Sequence, residues 1–282
     1  MRITKSFFKT ASHFKAVFLD SYGVLKNYKG LIDGVQNSLD FLRSKRIIVR
    51  ILTNDASRSQ EQQAESFNKI GLKGIEVSEI ITSGMMAKQF LQQKITHGKI
   101  AYLGTNNSAH YILQSGLEHI PVKDVDLKQL DDISAFVFLD DEGFDWNTDI
   151  NKTVNLLRHK NIPVIVANSD KFYPVSKNDV AVATGGIAKL VESMLHKKFI
   201  HFGKPDSQMF MYAFDDLNKI DTFNKNEILM VGDTLGTDIL GGNKFGVKTA
   251  LVLSGNTSAE DYHLEINSSG IIPDFVCESI AV

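Results

Sequence analysis

Apolar residues in this chain fall in short, β-branched-rich runs, and four runs stop at a polar residue of catalytic type. Ala16–Leu19 stops at Asp20, and Ile47–Leu52 stops at Thr53-Asn54. Phe199–Phe202 stops at Gly203-Lys204, and Ile228–Val231 at Gly232-Asp233. Such runs, bounded by Gly and polar residues, predict buried strands of a parallel sheet. Between them the spacing turns helical. Val35, Leu39 and Leu42 predict a helix capped by Asp33. Ser57, with Gln60 three residues on, predicts a capped helix with Ala64, Phe67 and Ile70 inside and Gly71 at its end.

From about residue 84 to 183 the alternation continues with different chemistry, and the set of Asp, Thr and Lys resumes only after it. Candidate strands are Lys99–Leu103, Phe136–Leu139, Ile162–Ala167 and Val180–Ala183. A segment of this size can be a domain. Gly185-Gly186 is placed at the hinge back to the first domain. The expected fold is α/β: a Rossmann-like doubly wound parallel-sheet core, residues 1–83 and 184–282, with an inserted α/β domain, residues 84–183.

Composition narrows the partners. The 282 residues carry a net charge of -2, with 43% hydrophobic and 23% charged residues. Near-neutrality gives no electrostatic reason to expect nucleic acid or an anionic membrane. The single cysteine, Cys277, excludes an internal disulfide and fits a reducing compartment. No apolar stretch approaches the roughly 18 residues that span a bilayer. The basic start, Met1–Lys9, lacks the continuous apolar stretch of a signal peptide. These features predict a cytoplasmic protein.

In open α/β sheets the ligand crevice lies beyond the carboxyl ends of the strands. Two carboxylates, a hydroxyl and an ammonium should therefore converge there, a set that suits metal-assisted attack on a phosphoryl group. Asp20 can be the nucleophile, forming an aspartyl-phosphate. Attack by one anion on another needs a hard cation such as Mg²⁺, held by a few carboxylates. Asp233 can supply one ligand, and Asp238, five residues on, can hold the metal directly or through water. Lys204 offers positive charge to a phosphoryl oxygen. The Thr53 hydroxyl and the backbone N–H groups after it, from Asn54 on, can bind another.

These segments resemble the four motifs of the haloacid dehalogenase superfamily. They are Asp20-Ser21-Tyr22-Gly23-Val24-Leu25, Leu52-Thr53-Asn54, Gly203-Lys204-Pro205 and Gly232-Asp233-Thr234-Leu235-Gly236-Thr237-Asp238. The large insert resembles the α/β C2 cap of subclass IIA, which holds sugar-phosphate, nitrophenyl-phosphate and phosphoglycolate phosphatases. The resemblance implies a Mg²⁺-dependent phosphatase of small phosphorylated metabolites, a sugar phosphate by default. It implies Asp20 as nucleophile, and Asp20, Asp233 and the Tyr22 carbonyl as metal ligands with Asp238 in support. It places Thr53 and Lys204 on phosphate, and it raises a homodimer formed through the cap.

The chain also departs from that pattern. Tyr22 stands where the phosphatases carry a second Asp, which protonates the leaving oxygen and then activates water. A phenol of pKa about 10 can donate a proton but is a poor base, and loss of such a group costs on the order of 10²- to 10⁴-fold. Slow turnover is expected. Asp-x-Tyr-Gly also marks the metal-independent 2-haloacid dehalogenases, which is one alternative; a catalytically weakened phosphate-binding protein is another. Asp55 adds a negative charge beside the phosphate-binding residues. In the cap, Asn168 and Asp170 end an apolar run and are candidates for contacting substrate. Asp140-Asp141-Glu142 is expected to be an exposed acidic loop, and Phe202, Phe210 and Phe214 to be core packing.

Overall fold

The computed structural model describes residues 6–176 and 179–281. The strands are β1 (Ala16–Leu19), β2 (Lys26–Asn27), β3 (Gly30–Leu31), β4 (Ile48–Thr53) and β5 (Ile80–Thr82), followed by β6 (Lys99–Leu103), β7 (Glu118–Pro121), β8 (Ile133–Phe138) and β9 (Val164–Val166). Then come β10 (Phe172–Pro174), β11 (Val180–Val182), β12 (Ile200–His201), β13 (Ile228–Gly232), β14 (Lys248–Val252) and β15 (Phe275–Cys277). The chain divides into two compact units. One comprises the chain up to Thr53, Gln60–Ile81 and everything from Lys204 on; the other comprises Asn54–Ser59 and Thr82–Gly203.

The first unit is built on a six-stranded sheet of order β15-β14-β13-β1-β4-β5. β1 pairs in parallel with β13 on one side and β4 on the other, with Leu19 opposite Val231 and Ile51. The chain runs outward through β4 and β5, then resumes on the far side of β1. The strand order therefore reverses at β1, which puts the crevice of this fold at the carboxyl ends of β1 and β13. Successive side chains alternate between faces. Val17, Leu19, Val49, Ile51, Leu229 and Val231 enter one core, whereas Ala16, Phe18, Leu52, Ile228 and Met230 enter another. Burial on both faces is why these strands read as unbroken apolar runs.

The second unit holds a five-stranded sheet of order β12-β9-β8-β6-β7. Its core contains Leu103, Phe136, Phe138, Val166, Ile187 and Phe199. Beside the sheet, β10 and β11 form an antiparallel pair whose Phe172, Val180 and Val182 are exposed.

Several expectations need correction. Within the run Phe199–Phe202, Ile200–His201 pairs with β9, Ile200 lying opposite Ile165, so it closes the second unit's sheet rather than joining β1. The return to the first unit comes at Lys204, not at 184, and the second unit takes in 54–59 and 82–203 rather than 84–183. Apolarity fixes that a strand is buried, not which ladder it joins. Val180–Val182 likewise lies in the β10–β11 pair, outside the parallel sheet. Gly185 and Gly186 are no hinge; they open the helix Thr184–Leu195, packed against the Ser169 and Lys171 carbonyls. The helix Val35–Ser44 is capped by Gly34, at φ 84, rather than by Asp33. Ser57 does not cap the helix Gln60–Lys69, because its N–H and hydroxyl both donate to Asp55. Phe210 and Phe214 pack on Phe245 in the first unit, and Phe202 packs on Phe90 in the second.

Candidate active site

Asp20 follows directly on β1, and its N–H donates to the Val231 carbonyl at 2.9 Å, extending the ladder by one residue. The chain then turns sharply: Gly23, at φ 76, donates its N–H to Lys26 O at 2.7 Å, and the β2–β3 hairpin follows. Asp233 occupies the same place after β13. A wide helical turn, Leu235–Ile239, then brings Asp238 back beneath the end of β13. There the Thr234 N–H donates to Asp238 Oδ2 at 3.2 Å. Lys204 enters at the start of the chain's return to this unit.

These four residues meet. Carboxylate oxygens of Asp20, Asp233 and Asp238 all lie within 4.8 Å of one another. The Lys204 Nζ sits 2.6 Å from Asp20 Oδ1 and 2.8 Å from Asp238 Oδ1, with its side chain almost fully buried. The Ser21 N–H donates to the same Asp20 Oδ1 at 2.7 Å. Asp20 Oδ2 accepts no hydrogen bond among the described residues. Asp233 is held on both oxygens, by the Thr234 hydroxyl at 2.9 Å and the Asn256 N–H at 2.6 Å.

The electrostatics follow from crowding. Burial pushes the Asp20 carboxyl well above its ordinary range; Lys204 opposes this, and the Asp238 and Asp233 charges add to it. Burial and the Asp238 charge push Asp233 up to about 7. Burial alone would lower Lys204, but the carboxylates of Asp20 and Asp238 outweigh it and hold the ammonium protonated. When all three are ionised, as metal binding would require, the carboxylates outnumber the one ammonium by two negative charges.

That deficit is the charge of one divalent cation. The donor set is all hard oxygen, which suits Mg²⁺. The backbone is pared down around it. A Cβ on Gly23 would lie 2.0 Å from Asp233 Oδ2, one on Gly255 1.9 Å from it, and one on Gly232 2.1 Å from Asp238 Cγ. The residues present therefore fit a cation held by the acids.

The other candidates divide between the two units. Tyr22 is half-buried, and its phenol is raised by burial, against a hydrogen bond with the Tyr28 backbone. Thr53 is buried at the end of β4, beside β1. Asn54, Asn168 and Asp170 belong to the second unit. There the Asn54 Nδ2 donates to Asp170 Oδ1 at 2.8 Å, and Asn168 Oδ1 accepts the Asp170 N–H at 2.9 Å. Asp170 is thus occupied in holding Asn54. Asp55 is offset locally by Ser57 and by Arg58, 3.1 Å away.

The Asp140-Asp141-Glu142 segment is not simply an exposed loop. Asp140 is buried and accepts from the Thr105 hydroxyl at 2.9 Å, and Asp141 accepts from the Tyr173 hydroxyl at 2.9 Å. Burial pushes Asp140 up to about 6.

One segment around the acids was missed. After β14, Ser254, Gly255 and Asn256 close over Gly23 and Asp233: the Ser254 hydroxyl donates to Gly23 O at 2.6 Å, and the Asn256 Nδ2 donates to Thr234 Oγ1 at 2.8 Å. The signal was present, since Thr249–Leu253 is another apolar run stopping at polar residues and Gly.

A doubly wound sheet with a carboxylate cluster and a lysine at its reversal point defines a class of α/β hydrolases. A family model described as haloacid dehalogenase-like hydrolase matches residues 17–118, and a second, HAD-hydrolase-like model matches residues 201–282. The crystal structure of a possible sugar phosphatase of the HAD superfamily from Cytophaga hutchinsonii is 51% identical, with a TM-score of 0.95, over 100% of this chain and 99% of that one. Chronophin from Bos taurus is 25% identical over 95% of this chain and 91% of its own length. Phosphoglycolate phosphatase 1A of Arabidopsis thaliana is 28% identical over 93% of this chain and 74% of its own length. This chain belongs to the haloacid dehalogenase superfamily.

Proposed function

We propose that this chain is a Mg²⁺-dependent phosphatase of small phosphorylated metabolites, sugar phosphates first among them, working through an aspartyl-phosphate on Asp20. The observation that carries this is the meeting of the Asp20, Asp233 and Asp238 carboxylates within 4.8 Å, with Lys204 against Asp20. Asp20, Asp233 and the Tyr22 carbonyl would hold the cation, with Asp238 beside it; when bound it neutralises the charge of the phosphate.

The chain's own groups then divide the work. Lys204 and the Ser21 N–H hold Asp20 Oδ1, which leaves Oδ2 to attack phosphorus. A P–Oδ2 bond forms, the ester P–O bond breaks, and the leaving oxygen takes a proton. Lys204, the Thr53 hydroxyl and the N–H groups that follow it bind the phosphoryl oxygens. The Tyr22 phenol, kept protonated by burial, would donate that proton. Water must then attack the aspartyl-phosphate, and a phenol is a weak base for that step. Dephosphorylation therefore sets a slow turnover.

The dehalogenase alternative is weaker. Its chemistry has no use for the acids Asp233 and Asp238, and only the β2–β3 hairpin follows Asp20 where such enzymes insert a cap. A homodimer through the second unit, and a cytoplasmic location consistent with the lone buried Cys277, belong to the same proposal. The test is phosphate release from p-nitrophenyl phosphate. It should require Mg²⁺ and be abolished by Asp20→Asn. Halide release from a 2-haloacid without metal would support the dehalogenase instead.

A further inference from the structure

The Ser254–Asn256 loop has no part in the motifs that define the family resemblance, yet it bonds directly to Gly23 and Asp233. Three contacts define it. The Ser254 hydroxyl donates to the Gly23 carbonyl at 2.6 Å, which ties down the turn that carries Tyr22. The Asn256 N–H donates to Asp233 Oδ2 at 2.6 Å. The Asn256 amide donates to Thr234 Oγ1 at 2.8 Å, and that hydroxyl donates in turn to Asp233 Oδ1 at 2.9 Å. The Thr257 N–H adds a bond to the Asp233 carbonyl at 3.2 Å.

The loop reaches this position because Gly255 and Gly23 lie back to back. A Cβ on Gly255 would stand 2.6 Å from Gly23 Cα and 1.9 Å from Asp233 Oδ2. Any side chain at 255 would therefore displace the carboxylate. A carboxylate held on both oxygens by outer donors cannot rotate away, and such partners set the affinity of a metal site nearly as strongly as the ligands do.

We infer that Ser254 and Asn256 are positioning residues: Ser254 fixes the turn bearing the Tyr22 carbonyl, and Asn256 orients Asp233, so that both face one divalent cation. This rests on the function proposed above.

The test is calorimetric titration of Mg²⁺ into the full, metal-free chain, with melting in EDTA to monitor folding. Ser254→Ala should raise the Kd by about 10-fold or more with melting little changed, and Asn256→Ala, which removes the amide bond to Thr234 but keeps the N–H bond to Asp233, should raise it by a smaller factor. Ser254→Thr keeps the hydroxyl and should restore affinity. Gly255→Ala should abolish binding. Wild-type Mg²⁺ affinity in both alanine variants would overturn the inference and leave the proposed function standing. A weakening that Ser254→Thr fails to reverse also counts against it. A wild-type chain that takes up no Mg²⁺ overturns both.

Discussion

Position 22 carries a phenol where the phosphatases of this superfamily place a second aspartate. The backbone carbonyl there is unaffected by the exchange; the proton chemistry is not. Burial raises the phenol further, so it donates a proton but does not accept one at neutral pH. Tyr22→Asp should therefore raise kcat on p-nitrophenyl phosphate, by up to roughly the 10²- to 10⁴-fold that such groups contribute. Unchanged or lower turnover in a folded Tyr22→Asp variant contradicts the role given to this residue. Asp233 sets a different dependence. Its carboxyl is pushed up to about 7, against about 4 in an unfolded chain. The metal-free folded state therefore holds a proton that the unfolded state gives up between those values, and stability falls as pH rises through that window. Asp20 acts in the same direction. Mg²⁺ competes with those protons, so its affinity rises over the same range. In EDTA, Tm should drop between about pH 4 and about pH 7, and added Mg²⁺ should narrow or reverse the drop. A Tm in EDTA that climbs across the window contradicts the protonated cluster.

At the scale of elements, the strands deliver chemistry because they end sharply. β1 and β13 are neighbours in register, so the residues that follow them, Asp20 and Asp233, are forced together. That much was legible, because strands buried on both faces give apolar runs with clear ends. The place of Ile200–His201 was not legible, since its partner Ile165 lies far away in sequence and nothing local marks the pairing. The buried state of Asp140 was hidden for a similar reason: Thr105, which satisfies it, is 35 residues distant. Ser254 to Asn256 could have been found by the same strand-end rule that found Asp20. Asn54 shows how an element end can be held from elsewhere. It follows Thr53 directly, and its amide is held by Asp170 while its carbonyl accepts from the Ser83 hydroxyl at 2.7 Å. A double-mutant cycle on thermal unfolding tests this bond: Asn54→Ala and Asp170→Ala should each lower stability, with a coupling of about 1 kcal/mol. Additive losses would mean that Asp170 serves only its own loop.

At the scale of the molecule, one sheet carries the acids, and the second unit is inserted into its chain, ending just where Lys204 begins. Both units are α/β, which is why the insertion was visible only through what its strand ends lack. The boundary was harder to place than the insertion. The segment Asn54–Ser59 belongs to the second unit although it directly follows a strand of the first. The last strand of the insert ends just before Lys204, so the chain crosses back within the motif itself. Chemistry stays legible through such a crossing, because Lys204 must reach Asp20 whichever sheet precedes it.

The most direct measurement is to trap the covalent step. The chain is quenched in acid during turnover of p-nitrophenyl phosphate with Mg²⁺, reduced with borohydride, digested and sequenced by mass spectrometry. An acyl phosphate on Asp20 is reduced to homoserine, so residue 20 should read as homoserine in the turned-over sample and as aspartate without substrate. Steady turnover with residue 20 still aspartate, or with the modification on another carboxylate, contradicts the central claim.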